Sequence, residues 1–169
     1  MKGERRDMFE KFGEMGSAEE INELARNLRG EGDKESVIAL AEENGIEPEI
    51  AEVFNEGEID ILCDDMAAAV GKIDVECAEM KPKEIVEDWI EYIKGTCAEH
   101  EEMARAVRAK GKTVKGCIAE MLKWSFKNCY EVDRDTCKEA GVTQNVKMGI
   151  PGMARAKEII KDYYLGQEG

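Results

Sequence analysis

The residues of this chain with the clearest chemical potential are carboxylates, and they are concentrated in one segment. Between Lys34 and Lys72 there is no lysine or arginine, and eleven acidic residues lie there: Glu35, Glu42, Glu43, Glu47, Glu49, Glu52, Glu56, Glu58, Asp60, Asp64 and Asp65. Such residues can bind metals, act as acid–base pairs or attract a cationic partner. The spacing does not match a calcium-binding EF-hand loop, so no metal site is predicted. Solvated helix faces and an anionic docking surface are the two interpretations that remain.

The other reactive residue types are scattered. The six cysteines, Cys63, Cys77, Cys97, Cys117, Cys129 and Cys137, form no CxxC pair that could begin a zinc or redox site. The single histidine, His100, stands between Glu99 and Glu101 with no neighbouring nucleophile to activate. We therefore expect no catalytic residue, no cofactor and no enzymatic activity, and we expect reduced cysteines.

The tripeptide Gly111-Lys112-Thr113 is similar to the end of a phosphate-binding loop. That loop also needs a glycine five residues earlier, where this chain has Ala106, and a preceding strand, where the sequence predicts a helix. A glycine that ends one helix and a threonine that caps the next account for the same residues.

The apolar spacing predicts an all-α fold of about seven to nine short helices. Ser17 and Glu20 have the spacing of a capping box, Asp33 is a predicted N-cap, and Gly45 is a predicted helix terminator. Pro48 is placed to open a short helix. After Pro82, further helices are predicted up to the C-terminal segment ARAKEIIKDYYLG.

The charge distribution predicts two modules. Residues 1–80 carry 23 acidic and 8 basic residues, a net charge of −15, whereas residues 81–169 carry 15 and 16, a net charge of +1. Lys81-Pro82 is the predicted boundary, because the residue before a proline is disfavoured in helices. We expect an acidic helical module at 1–80 and a second helical domain at 81–169.

The predicted binding residues lie in both modules. Two sets are predicted to contact a partner: the acidic residues Glu42, Glu43, Glu47, Glu49, Glu52, Glu56, Asp64 and Asp65, and the basic residues Lys112, Lys115, Lys123 and Lys127. A basic protein is the first predicted partner. The alternative is a nucleic-acid-binding accessory protein that contacts phosphates through its C-terminal half. Two glycines and a proline in TQNVKMGIPG argue against a DNA-recognition helix there.

A pattern of residues covers roughly residues 84–128 and the last helix. Its positions are Trp89, Tyr92, Gly111, Lys112, Thr113, Val114, Lys115, Gly116, Cys117, Ile118, Met121, Tyr163 and Tyr164. At these positions the C-terminal half resembles the PcfK-like proteins of conjugative elements and the related Cas9-inhibitor (anti-CRISPR) family. The resemblance implies a stoichiometric, non-enzymatic protein of a mobile element, with the Cas9 nuclease as the candidate partner.

The chain shows no targeting or membrane-spanning signal. The first residues, MKGERRDMFE, lack an apolar core, and no apolar run approaches the length that crosses a bilayer. A cytoplasmic protein without membrane contact is therefore expected.

Overall fold

The computed structural model describes residues 8–166 and is all-α, as predicted. Residues 1–7, which belong to the segment used to predict the absence of a leader, lie outside the described residues. The described residues form nine helices and two short strands: α1 Ala18–Gly30, α2 Lys34–Glu43, α3 Pro48–Asn55, α4 Asp65–Met80, α5 Ile85–Glu99, α6 Glu101–Arg108, α7 Val114–Asn128, β1 Tyr130–Glu131, α8 Arg134–Glu139, β2 Lys147–Met148 and α9 Met153–Leu165.

The helix starts follow from local side chains. Ser17 Oγ accepts a hydrogen bond from Glu20 N at 3.1 Å, and Glu20 Oε2 accepts one from Gly16 N at 2.9 Å. Asp33 accepts from Ser36 N at 3.1 Å at the start of α2. These bonds satisfy backbone donors that have no partner within the first turn of a helix. The predicted caps at Ser17 and Asp33 are confirmed.

The chain divides into two compact units, Met1–Val114 and Lys115–Gly169. This division differs from the boundary expected at Lys81-Pro82. Helix α4 does end at Met80, and Lys81 is left-handed with φ 49°. Beyond that break, however, α5 and α6 return to pack against α4, so the core of the first unit continues across the proline.

The core of the first unit lies where α1, α2, α3 and α4 meet. Its fully buried apolar residues include Ile21, Leu40, Phe54 and Ile73. Asn22 closes this region, because its side-chain amide donates to Cys63 O at 2.8 Å and accepts from Leu62 N and Cys63 N. The segment before α4 is thereby held against α1.

Two glycines allow α4 to approach the turn after α2. Gly45 adopts φ 70°, a left-handed conformation that favours glycine, and it terminates α2 as predicted. Gly71 lies within α4 without breaking the helix. A Cβ atom built on Gly71 would overlap the backbone oxygen of Asn44. The close approach of these two backbone segments therefore requires glycine.

The second unit contains most of α7, together with α8, α9 and a two-stranded antiparallel ribbon. In the ribbon Tyr130 is opposite Met148, and Glu131 is opposite Lys147. The Arg134 guanidinium donates to Thr143 O and Gln144 O and so supports the connection between the strands. The buried residues of this unit come from its three helices and from the connection before α9: Cys117, Met121, Cys137, Pro151, Ala156, Ile160 and Tyr164.

Candidate partner-binding site

Helix α3 carries an acidic stripe opposite its buried face. Glu49, Glu52 and Glu56 are exposed and follow one another at spacings of three and four residues, the spacing that aligns side chains along one face of a helix. Ala51 and Phe54 lie on the other side and are fully buried. Burial of this apolar pair therefore orients the three carboxylates toward solvent.

Five predicted carboxylates have no side-chain partner among the residues that the structure describes. Within residues 8–166, no ion pair or side-chain hydrogen bond involves Glu42, Glu47, Glu49, Glu52 or Glu56, and all five are exposed. We call these five residues the acidic surface. The nearest sequence neighbours cannot neutralise it, because no cationic residue occurs between Lys34 and Lys72. Its charge is consequently available to a partner.

The other three predicted carboxylates have structural roles. Glu43 is half-buried and accepts a hydrogen bond from Phe12 N at 3.1 Å. Asp64 caps α4 by accepting from Ala67 N at 2.7 Å. Asp65 forms an ion pair of 3.2 Å with Arg105 on α6. These three side chains stabilise the first unit and contribute less free charge than the acidic surface.

Apolar side chains are exposed in the same segment. Ile50 on α3, Ile61 in the following loop and Met66 in the first turn of α4 are all exposed. Apolar groups among unpaired carboxylates are more typical of a protein-docking surface than of a purely solvated helix face.

The four predicted lysines lie in different environments. Lys115, Lys123 and Lys127 are exposed on α7, whereas Lys112, in the turn before α7, is half-buried. Lys123 pairs with Glu120 at 2.9 Å. Exposed pairs of this kind contribute little stability, so the Lys123 ammonium remains accessible to another anion.

A buried polar cluster in the first unit was not anticipated from the sequence. Lys72 and Arg108 are each only 1% exposed. Lys72 Nζ donates to Ala109 O at 2.9 Å and pairs with Glu14 at 3.2 Å. Burial lowers the pKa of Lys72, while the hydrogen bond and charge of Glu14 oppose that shift.

Arg108 binds three separate segments of the first unit. Its guanidinium donates to Met15 O at 2.8 Å, to Ala68 O at 3.1 Å and to the side-chain oxygen of Asn44. Arginine is usually found at the protein surface, whereas Arg108 is buried. Because its donors are occupied by backbone and amide oxygens, the role of this side chain is to hold α2, α4 and α6 together.

Glu76 is the third charged residue of this cluster. It is buried on α4, and its two carboxylate oxygens share the single N–H of Val114 in a bifurcated hydrogen bond, each at 3.3 Å from the nitrogen. Burial raises the pKa of Glu76 to about 7, although Lys72 and the Val114 amide oppose the shift. Perturbed acids often mark functional sites. Here the carboxylate faces the backbone at the start of α7, so we interpret it as structural.

The cysteines and His100 do not form a reactive constellation in the described part of the chain. Cys63, Cys97 and Cys117 are buried, and burial raises the pKa of these thiols to about 12, 11 and 12 respectively. His100 is exposed between α5 and α6. Over residues 8–166, no group of three or more His, Cys, Asp or Glu residues is arranged to hold a metal ion.

The turn around Gly111-Lys112-Thr113 agrees with the helix-stop interpretation. Gly111 has φ 83°, and α6, not a strand, precedes it.

As for membrane contact, none of the helices between residues 8 and 166 combines the length and apolarity needed to span a bilayer.

Comparison of the chain with protein-family models, with curated proteins and with solved structures finds no match.

Proposed function

We propose that this chain is a non-enzymatic interaction protein that binds a basic macromolecular partner through the acidic surface. The observation that carries the proposal is the set of five exposed carboxylates that have no intramolecular partner within the described residues. The exposed apolar residues Ile50, Ile61 and Met66 supply the contacts that would keep a partner bound.

The charge distribution supports fast association with a cation. The first unit contains 30 acidic and 15 basic residues, whereas residues 115–169 contain 8 and 9. Complementary charge of this kind can raise association rates by about 10–1000-fold, and the gain falls as salt screens it. The apolar residues act differently, because they slow dissociation once the complex has formed.

The resemblance to Cas9 inhibitors gives the first partner to test. A Cas9 nuclease binds nucleic acid in a positively charged channel. An acidic protein that occupied this channel would inhibit the nuclease by exclusion, without turnover. The same proposal includes that the protein serves a mobile element by counteracting the defence of its host.

The test compares two variants with equal total charge. The first is E42Q/E47Q/E49Q/E52Q/E56Q; the control, E79Q/E87Q/E99Q/E102Q/E139Q, neutralises five exposed carboxylates elsewhere. Association with a purified Cas9–guide complex is measured by surface plasmon resonance at several salt concentrations. We expect the first variant to associate roughly tenfold more slowly at low salt, and the control to remain within about twofold of wild type.

The outcomes separate the parts of the proposal. Equal rates for both variants would exclude the acidic surface as the docking site. No binding of Cas9 by the wild-type chain would remove this nuclease as the partner. Capture from a host lysate, repeated with both variants, would then show whether another basic protein depends on the same carboxylates.

A second candidate is a nucleic-acid-binding accessory protein of a conjugation or replication system. Lys115 and Lys127 favour it, because both are exposed on α7 and neither has an ion pair within residues 8–166. A labelled oligonucleotide should then bind the full chain at low salt, and K115Q/K127Q should weaken binding and flatten its salt dependence. Absence of binding at low salt would exclude this candidate.

A further inference from the structure

The second unit exposes large apolar side chains on one end of α7 and on the ribbon. Phe126 is 82% exposed and Tyr130 is 61% exposed, and Leu122, Met148 and Ile150 are each more than half exposed. A soluble protein rarely leaves so many large apolar groups together in solvent unless they contact a partner.

The backbone places these residues side by side. Leu122 and Phe126 are four residues apart and share one face of α7. Tyr130 and Met148 are direct cross-strand partners, so their side chains project from the same face of the ribbon. Gly149 joins the two parts: its added Cβ would lie 2.7 Å from Ser125 O and 3.0 Å from Cys129 Cβ. The backbone between Met148 and Ile150 therefore passes close to the end of α7.

The helical part of this surface is bordered by positive charge. Lys123 and Lys127 directly follow Leu122 and Phe126, and Lys115 lies seven residues before Leu122, on the same side of the helix. Glu120 is the single carboxylate of α7. An occupant must therefore offer apolar groups together with carboxylates.

We propose that Leu122, Phe126, Tyr130, Met148 and Ile150, which we call the α7–ribbon patch, bind an acidic amphipathic helix of a partner protein. Such a helix presents leucine-like side chains along one face and carboxylates at its edges, which matches the apolar centre and the lysines of the patch. This surface is separate from the acidic surface, and its test does not depend on the function proposed above.

Nucleic acid is the main competing occupant, and two features disfavour it. Three members of the patch, Leu122, Met148 and Ile150, are aliphatic and have no ring on which a base could stack. Glu131 follows Tyr130 directly and Asp133 lies two residues further on, and a polyanion with a charge on every nucleotide would meet them. A peptide, in contrast, can carry carboxylates only at the positions that face the lysines of α7.

The experiment uses the full chain and a synthetic probe. The probe is a fluorescent peptide of about 18 residues, long enough to form a helix, with leucines on one face and glutamates on the other. A matched peptide carries lysine in place of each glutamate. Fluorescence anisotropy measures the Kd of each peptide for wild type, L122S/F126S, K123Q/K127Q and the control I50S/I61S.

We expect the acidic peptide to bind wild type and I50S/I61S equally. L122S/F126S should raise the Kd at least about tenfold, because it removes two exposed anchors without touching the core. K123Q/K127Q should raise the Kd several-fold at low salt and have little effect at high salt. The lysine peptide is complementary to the acidic surface instead, so any binding of it should be unchanged in L122S/F126S. Circular dichroism checks that each variant is folded.

Several results would overturn the proposal. One is failure of the acidic peptide to bind the wild-type protein. Another is binding of the acidic peptide that is unchanged in L122S/F126S. Tighter binding of a single-stranded oligonucleotide, or of vesicles of phosphatidylglycerol, with loss in L122S/F126S would reassign the patch to nucleic acid or to a membrane. A concentration-dependent dimer seen by light scattering and abolished in L122S/F126S would assign it to a second copy of the chain.

Discussion

At the scale of single residues, burial decides which side chains keep their usual chemistry. Cys129 is exposed, whereas Cys63, Cys97, Cys117 and Cys137 are buried and Cys77 is half-buried. A thiol reacts as its thiolate, so both burial and a raised pKa slow the reaction. Cys129 should consequently be the most reactive cysteine of the folded protein.

A thiol titration checks this. With Ellman's reagent on the folded protein at mildly alkaline pH, we expect one fast-reacting equivalent followed by slow phases. The C129S variant should lose the fast phase, whereas C77S should retain it. A fast phase that persists in C129S would show that another cysteine is accessible.

Glu76 makes the stability of the first unit depend on pH. Its folded pKa is about 7, above the ordinary value of 4.5. Between these two values the folded state binds more protons than the unfolded state, so stability falls as pH rises through this window. Once Glu76 is fully ionised in both states, roughly a pH unit above its folded pKa, its contribution no longer changes.

The E76Q variant tests this pH dependence. By chemical denaturation between pH 5 and 8, wild type should lose on the order of 2 kcal/mol more than E76Q as pH rises, because glutamine mimics the neutral acid and does not titrate. Parallel pH profiles for the two proteins would contradict this assignment of Glu76.

At the scale of elements, the contact of α4 with the turn after α2 limits one position to glycine. Replacing Gly71 by alanine should destabilise the protein by about 1–3 kcal/mol, since its methyl group would overlap the Asn44 backbone. The change in stability should have the opposite sign for G95A on α5, because a Cβ atom added there would meet no atom within 4 Å outside its own stretch of helix. There alanine should stabilise by about 0.5–1 kcal/mol through helix propensity.

Thermal and chemical denaturation of G71A and G95A measure both effects on the same fold. Equal stabilisation of the two variants would show that α4 can move away from the Gly45 turn without cost.

The elements that the sequence predicted well are those determined by neighbouring residues. Ser17, Asp33 and Gly45 act within a few residues of themselves, so spacing alone identified two helix starts and one helix end. The apolar period of 3.6 residues similarly predicted the all-α class. The expected carboxylates of α3 are exposed for the same local reason, because Ala51 and Phe54 define the opposite face.

The features that the sequence did not predict depend on distant partners. Arg108 contacts Met15 and Asn44, which are 93 and 64 residues away. Nothing in its own helix distinguishes it from the exposed Arg105. The unit boundary after Val114 has the same origin, since the packing of α4 with α5 and α6 involves segments on both sides of Pro82.

At the scale of the whole molecule, the charge is unevenly divided, and this has an energetic consequence. The first unit has a net charge of −15, whereas residues 115–169 have +1. Repulsion among unpaired carboxylates opposes folding of the first unit. The acidic surface is therefore maintained at some expense of stability, as is common for functional sites.

The five-glutamine variant of the acidic surface tests this directly. At low salt we expect its Tm to exceed that of wild type by about 2–4 °C, which corresponds to roughly 1 kcal/mol in a chain of this length. The difference should disappear at high salt, because screening already removes the repulsion in wild type. A lower Tm would indicate that these carboxylates stabilise the fold.

The smallness of α3 has a consequence for its motion. An isolated helix of eight residues does not persist in water, and like charges along its outer face weaken it further. Ala51 and Phe54 are the only two residues of α3 that are fully buried. We expect α3 to open locally before the rest of the first unit, with rapid amide deuteration in the free protein. A basic partner that binds the carboxylates of α3 would slow that deuteration. Slower exchange in α3 would therefore show that the acidic surface is occupied by the partner.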